Sequence, residues 1–145
     1  MKKIVCLLFA CSLVFIGCKK NSDANSTEGF AGSYTGTVTD TLNGSYHSTL
    51  NNYTIIIVPT HTSDVVTLTN SLLITNSGTI TSNTFSIPTT IAAESAFMKV
   101  IEYAEGTFSG TDNNTWTVTF YQDQVDPSTN NVFATMSRSC VLIKQ

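Results

Sequence analysis

The side chains that could carry chemistry in this 145-residue chain are few and scattered. A hydrolytic site needs a nucleophile, a base beside it and a third group to orient the base. The two histidines offer no such arrangement. His47 follows Tyr46 beside a turn, and His61 lies in the polar stretch Pro59-Thr60-His61-Thr62-Ser63-Asp64. His61 with Asp64 would supply two ligands, short of a closed metal site. Glu94, Glu102 and Glu105 stand close in sequence, but carboxylates that cleave a glycosidic bond must flank it on opposite sides. Their spacing reads as a solvated face. Asp112-Asn113-Asn114 and Asp123–Asp126 carry oxygen ligands without the alternation of a calcium loop. No Gly-x-Ser-x-Gly elbow, His-Glu-x-x-His or phosphate loop occurs. The expectation is a protein that is not an enzyme and uses no metal or cofactor.

One stretch does carry a recognisable chemistry. Lys2-Lys3, an apolar run from Ile4 to Ile16 interrupted by Ser12, and Gly17 before Cys18 have the layout of a cleaved export signal. The apolar run is 13 residues long, whereas a bilayer span takes roughly 20. Phe15-Ile16-Gly17-Cys18 resembles a bacterial lipobox, with Phe15 at the position where Leu is usual. The resemblance implies that Cys18 is lipidated, begins the mature chain and anchors it in the cell envelope, with the outer membrane as the expected site. Residues 19–29, dominated by Asn, Ser, Asp and Thr, then read as a flexible tether. Cys6 and Cys11 belong to the signal, so Cys140 is left as the one thiol, without a partner for a disulfide. Its neighbours Val141-Leu142-Ile143 predict a small buried hydrophobe rather than a nucleophile.

The remaining 30–145 segment is the right size for one domain with its own core. From Cys18 onward there are five basic and ten acidic residues, a net charge of −5. Lys99, Arg138 and Lys144 are the only cations of the domain, too few to neutralise a phosphate backbone, so nucleic acid is not an expected partner. Its polar surface is instead Thr, Ser and Asn.

Thr alternating with apolar residues predicts strands. Ser33 to Asp40 sets Tyr34, Gly36 and Val38 against Thr35, Thr37 and Thr39. Asn43-Gly44 then signals a hairpin turn, and a second strand is expected over Tyr46 to Val58, stopped by Pro59. Asp64–Thr69 and Ser71–Thr75 read as short strands, or as one strand bulged at Asn70. Thr79–Ile87 reads as a strand with a break or bulge near Ser82-Asn83, ending at Pro88. Ile91 to Met98 has the composition of a turn or two of helix. Lys99–Ser109, Thr115–Tyr121 and Val132–Ile143 complete the set, and Trp116, Val118 and Phe120 share one face. Gly78-Thr79-Ile80 with Asn83-Thr84-Phe85 is echoed by Gly106-Thr107-Phe108 with Asn114-Thr115-Trp116, as two hairpins of similar register would be.

About eight strands joined by short loops favour an antiparallel up-and-down order, and closure into a barrel protects the sheet edges. The expected fold is an all-β, eight-stranded barrel, with a β-sandwich as the alternative. Gly32-Ser33-Tyr34-Thr35-Gly36, Gly106-Thr107-Phe108-Ser109-Gly110 and Asn114-Thr115-Trp116-Thr117-Val118 resemble strands of small lipocalin-like (calycin-like) lipoproteins of the Bacteroidota, with Tyr34 where lipocalins carry Trp. The resemblance implies an extracytoplasmic barrel and no assigned activity. Inward aromatics could line a cavity for a small apolar ligand, and Tyr34, Trp116 and Phe120 are the candidate binding residues. The alternative function is an envelope module that holds protein or glycan on its outer face or loops, for which outward Tyr121 is a candidate contact.

Overall fold

The computed structural model describes residues 27–145. The segment read as an export signal, Cys18 and the segment read as a tether up to Ser26 lie outside the described residues. Eight strands follow in order: β1 (Gly32–Leu42), β2 (Ser45–Pro59), β3 (Val65–Thr69), β4 (Ser77–Thr81), β5 (Thr84–Glu94), β6 (Lys99–Ser109), β7 (Thr115–Val125) and β8 (Val132–Lys144). Each pairs antiparallel with the next, and β8 returns to β1 from Tyr34↔Lys144 to Leu42↔Met136. The sheet is a closed up-and-down barrel. Closure leaves no continuous edge exposed along β1 and β8, the physical advantage over a sandwich.

Local chemistry sets the turns. Asn43 and Gly44 both take positive φ between β1 and β2, and Ser82 does so between β4 and β5. Gly36 is required by close approach, because a Cβ there would run into the Val141 carbonyl of β8. Phases match the alternation in the sequence: Tyr34 and Val38, Ile55 and Ile57, Phe85 and Ile87, Trp116, Val118 and Phe120, and Cys140 and Leu142 are all buried.

Three expectations need correction. Ser71–Thr75 is not a strand but the middle of a loop, residues 70–76. Asn70 turns the chain with φ 60°. The Ser71 hydroxyl then donates to the Leu73 carbonyl (2.8 Å) and accepts from the Leu73 amide (3.3 Å). Such local side-chain bonds replace the sheet ladder. Ile91–Met98 is not helical. Ile91 pairs with Ile101 and Glu94 with Lys99, and the Ser95 hydroxyl accepts from the amides of Phe97 and Met98 in a tight hairpin turn. A lone short helix is marginal, so strand pairing wins. The break expected near Ser82-Asn83 is the turn that separates β4 from β5, but Pro88 does not end the strand, and β5 runs on to Glu94. Pro88 sits in the register shift between Ile87 and Thr90, where the missing donor costs no ladder bond.

Thr27–Phe30, at the end of the segment read as tether, forms a 3-10 turn with Thr27 and Phe30 buried. This turn closes one end of the barrel, called the floor below. The β1–β2, β5–β6 and β7–β8 hairpins rise at the other end, the mouth. Since β3 and β4 have five residues each, the wall is low between them, and the loop 70–76 lies there.

Candidate functional site: the barrel lumen

The lumen has two chemically different layers. The lower one is aromatic. Trp116 stacks on Phe108 (centroids 5.4 Å apart, 11° between planes) and meets Tyr34, Phe85 and Phe120 edge-on at 5.8, 5.0 and 6.2 Å. Phe30 packs on Phe108 from below at 4.6 Å. The phenol of Tyr34 donates to the Phe30 carbonyl (3.1 Å), which ties the 3-10 turn to β1. Burial pushes the Tyr34 phenol up to about 12. Lys144 covers the Tyr34 ring at 5.9 Å and donates to the Gly29 carbonyl (3.0 Å). The three candidate binding residues, Tyr34, Trp116 and Phe120, are therefore brought together at the floor, each fully buried. Their surfaces are occupied by one another and by Phe85 and Phe108. The indole Nε1 of Trp116 is buried without a hydrogen-bond acceptor.

Above this floor lies a charged layer. Glu102, on β6, is 0% exposed. Its carboxylate accepts from the amides of Ile74 (3.1 Å) and Thr75 (3.0 Å) and from the side-chain amide of Gln122 (3.0 Å). This corrects the reading of Glu94, Glu102 and Glu105 as one solvated face: Glu102 occupies the inward phase of Ala104 and Phe108, whereas Glu94 and Glu105 are exposed. Across the lumen, Arg138 on β8 donates from a terminal guanidinium nitrogen to the Leu72 carbonyl (2.8 Å). Its Nε faces the Asp40 carboxylate of β1 at 3.4 Å as an ion pair. The geometry of that pair leaves Arg138 Nε and Asp40 Oδ1 buried without hydrogen bonds.

The loop 70–76 is thus suspended across the lumen from polar groups. Glu102 holds two of its amides, Arg138 holds one of its carbonyls, the Tyr53 phenol donates to the Asn70 carbonyl (2.6 Å) and the Thr75 and Thr90 hydroxyls meet at 3.3 Å. Leu73 is its one deeply buried side chain. Above the loop, Leu42 and Met136 continue the inward phases of Asp40 and Arg138 as a cross-strand pair. Leu42 is partly open to solvent.

The charged layer carried a signal in the sequence. Asp40 follows Tyr34 and Val38 at even spacing, Arg138 precedes Cys140 and Leu142, and Glu102 precedes Ala104. In each case a charge falls on a phase that the alternation assigns to the core. The other chemical candidates lie outside the lumen: His47 and His61 are exposed, and Tyr121 is stacked on Tyr103 on the outer wall at 4.7 Å and 11°. Cys140 is buried, and burial first, then the nearby Asp40 charge, pushes its thiol up to about 12, the state of an inert thiol. Cys18 lies outside the described residues. Comparison with known proteins finds no family model, no curated protein and no solved structure that matches this chain.

Proposed function

We propose that this chain is a lipid-anchored binding protein of the cell envelope that takes a small, largely apolar ligand in the lumen, at the level of its charged layer. The observation that carries the reading is the set Glu102, Asp40 and Arg138 turned inward beneath a loop held mainly by polar bonds. Buried charges stabilise a fold poorly, since well-packed apolar residues do as well or better. A charged layer inside an otherwise apolar barrel is more economically explained by something it recognises. The loop's own bonds support a particular chemistry: two of its N–H donors meet Glu102 and one of its carbonyls meets Arg138. A ligand that displaces the loop must offer the same groups, so its polar end is amide-like. Its apolar end lies along Leu42 and Met136 toward the mouth, because the floor is already filled with aromatic rings. The lipid on Cys18 and the envelope location rest on the lipobox resemblance, and the role is binding rather than catalysis.

Calorimetric titration with octanamide, octanoate and octylamine tests this. A carboxylate meets Glu102 and Asp40 unfavourably, and an ammonium meets Arg138. Octanamide is therefore expected to bind saturably and most tightly of the three, with its affinity lost in Arg138→Met. Equal binding of all three, or none by octanamide, would contradict the reading.

A second reading, an envelope module that grips a protein through its mouth, is favoured by one observation. Tyr46, Phe97 and Phe133 are 69%, 90% and 54% exposed near the tips of the three tall hairpins. These tips point away from the 3-10 turn where the chain enters the barrel. Octanamide titration of Phe97→Ser separates the two readings, because the ligand reading leaves its affinity unchanged.

A further inference from the structure

We propose that the outer wall formed by β5, β6 and β7 is a binding site for an uncharged glycan, independent of the lumen. A depression of about 320 Å³ is sunk into this wall, lined by Thr84, Glu105, Gly106, Thr107, Thr117 and Thr119. That is the small end of the range for ligand sites, about 300–1,000 Å³. Gly106 contributes only backbone to this wall: it sits between the outward Glu105 and Thr107, and a Cβ there would be on the inward phase, 2.7 Å from Val118 Cβ.

The rows along this wall follow from the register. Thr107 faces Thr117, Glu105 faces Thr119 in the next row, and Tyr103 faces Tyr121 in the one after. The two phenol rings stack on each other at 4.7 Å with 11° between their planes, and both remain partly exposed. The Tyr103 phenol is held above its ordinary value, first by burial and next by the negative charge of Asp123. The register thus places a stacked aromatic pair one row beyond a depression lined by threonine side chains and Val118, with the Glu105 carboxylate between.

A sugar ring needs that combination. Its axial C–H groups form an apolar face that lies against an aromatic ring, and its equatorial hydroxyls both donate and accept. Ionised Glu105 is an acceptor only, so it takes hydroxyl protons, while the threonine hydroxyls can donate or accept as the ligand requires. Tyrosine suits such a surface because it presents a large contact area at low entropic cost. Charge decides the class of glycan. No Lys or Arg lines the depression, and Glu105 repels anions, which excludes phosphorylated, sulfated and uronic-acid ligands. Thr-rich walls occur elsewhere on this barrel simply because Thr favours strands. The dent, the carboxylate and the stacked ring pair distinguish this one.

The test is amide chemical-shift mapping of the protein with maltohexaose, cellohexaose, xylohexaose and chitohexaose at millimolar concentration, with polygalacturonate as the acidic control. At least one neutral oligomer is expected to shift amides of residues 103–107 and 117–121 saturably, while the acidic control leaves them unmoved. Glu105→Gln keeps the shape of the wall and is expected to weaken that binding about tenfold, the loss of one charge-assisted hydrogen bond. Tyr121→Ala is expected to abolish it, with the unchanged spectrum of the remaining amides showing that the barrel is intact. Arg138→Met, which addresses the lumen, is expected to leave it unaffected. The proposal is overturned if no neutral oligomer shifts these amides, if polygalacturonate does so equally, or if binding survives both wall substitutions.

Discussion

The floor and the charged layer of the same lumen follow opposite rules. At the floor, five rings from four strands, Tyr34, Phe85, Phe108, Trp116 and Phe120, fill the space between the walls and contact one another edge-on or stacked. Such packing combines area burial with favourable ring geometry. One layer higher, Asp40, Glu102 and Arg138 point into the same tube, and a loop rather than a side chain crosses it. The contrast divides labour. The floor fills the barrel with apolar packing, while the charged layer is satisfied by the polar groups of the loop.

The largest effect is expected at the floor. Trp116→Ala should cost about 3–5 kcal/mol of folding stability, the range for a large buried aromatic, as read from urea unfolding. A loss near zero would mean that the floor is not the stabilising layer. Next comes alkaline pH. Burial raises the folded values of Tyr34 and Cys140 to about 12 from their ordinary values of 10.0 and 9.0, so the folded state holds protons that the unfolded chain releases. Their contribution is complete below about pH 9 and is lost as pH rises toward 12, a fall on the order of a few kcal/mol. Unfolding midpoints followed from pH 8 upward should decline through that window, and Cys140→Ala should make the decline shallower.

Smaller effects belong to the charged layer. Glu102→Ala removes the acceptor of three N–H donors and should cost about 2–3 kcal/mol, with faster hydrogen exchange at Ile74 and Thr75. Smallest of all should be the double replacement Asp40→Leu with Arg138→Met. The pair is only part-buried, with Arg138 31% and Asp40 12% exposed, and such pairs add little net stability, so the double variant should stay within about 1 kcal/mol of the parent, although either single change costs more. A double variant as unstable as Trp116→Ala would erase the distinction between the layers.

The two layers also differed in how far the sequence disclosed them. The barrel is legible because apolar and Thr residues alternate along most of its strands, although the count of eight is reached by reading Ser71–Thr75 as a strand and β4 with β5 as one. The floor is legible because Tyr34, Trp116 and Phe120 fall on inward phases. The charged layer was hidden by sequence proximity: Glu102 was grouped with Glu94 and Glu105, although its phase matches Ala104. The loop was hidden because Leu72-Leu73-Ile74 has the composition of a strand. What keeps it out of the sheet is Asn70 at positive φ and the Ser71 hydroxyl, a local competition that no apolar count reveals. The outer-wall depression depends on Thr107 facing Thr117 and Glu105 facing Thr119, a register known only once β6 and β7 are paired.

The central claim is that the loop 70–76 occupies the place of a ligand. Hydrogen exchange at the amides of Ile74 and Thr75, measured without and with octanamide, tests it most directly. The account predicts that octanamide takes over Glu102 and Arg138, releases both amides and speeds their exchange saturably, while the floor amides of Tyr34 and Trp116 are unchanged. Exchange at Ile74 and Thr75 that stays constant at saturating octanamide would contradict it.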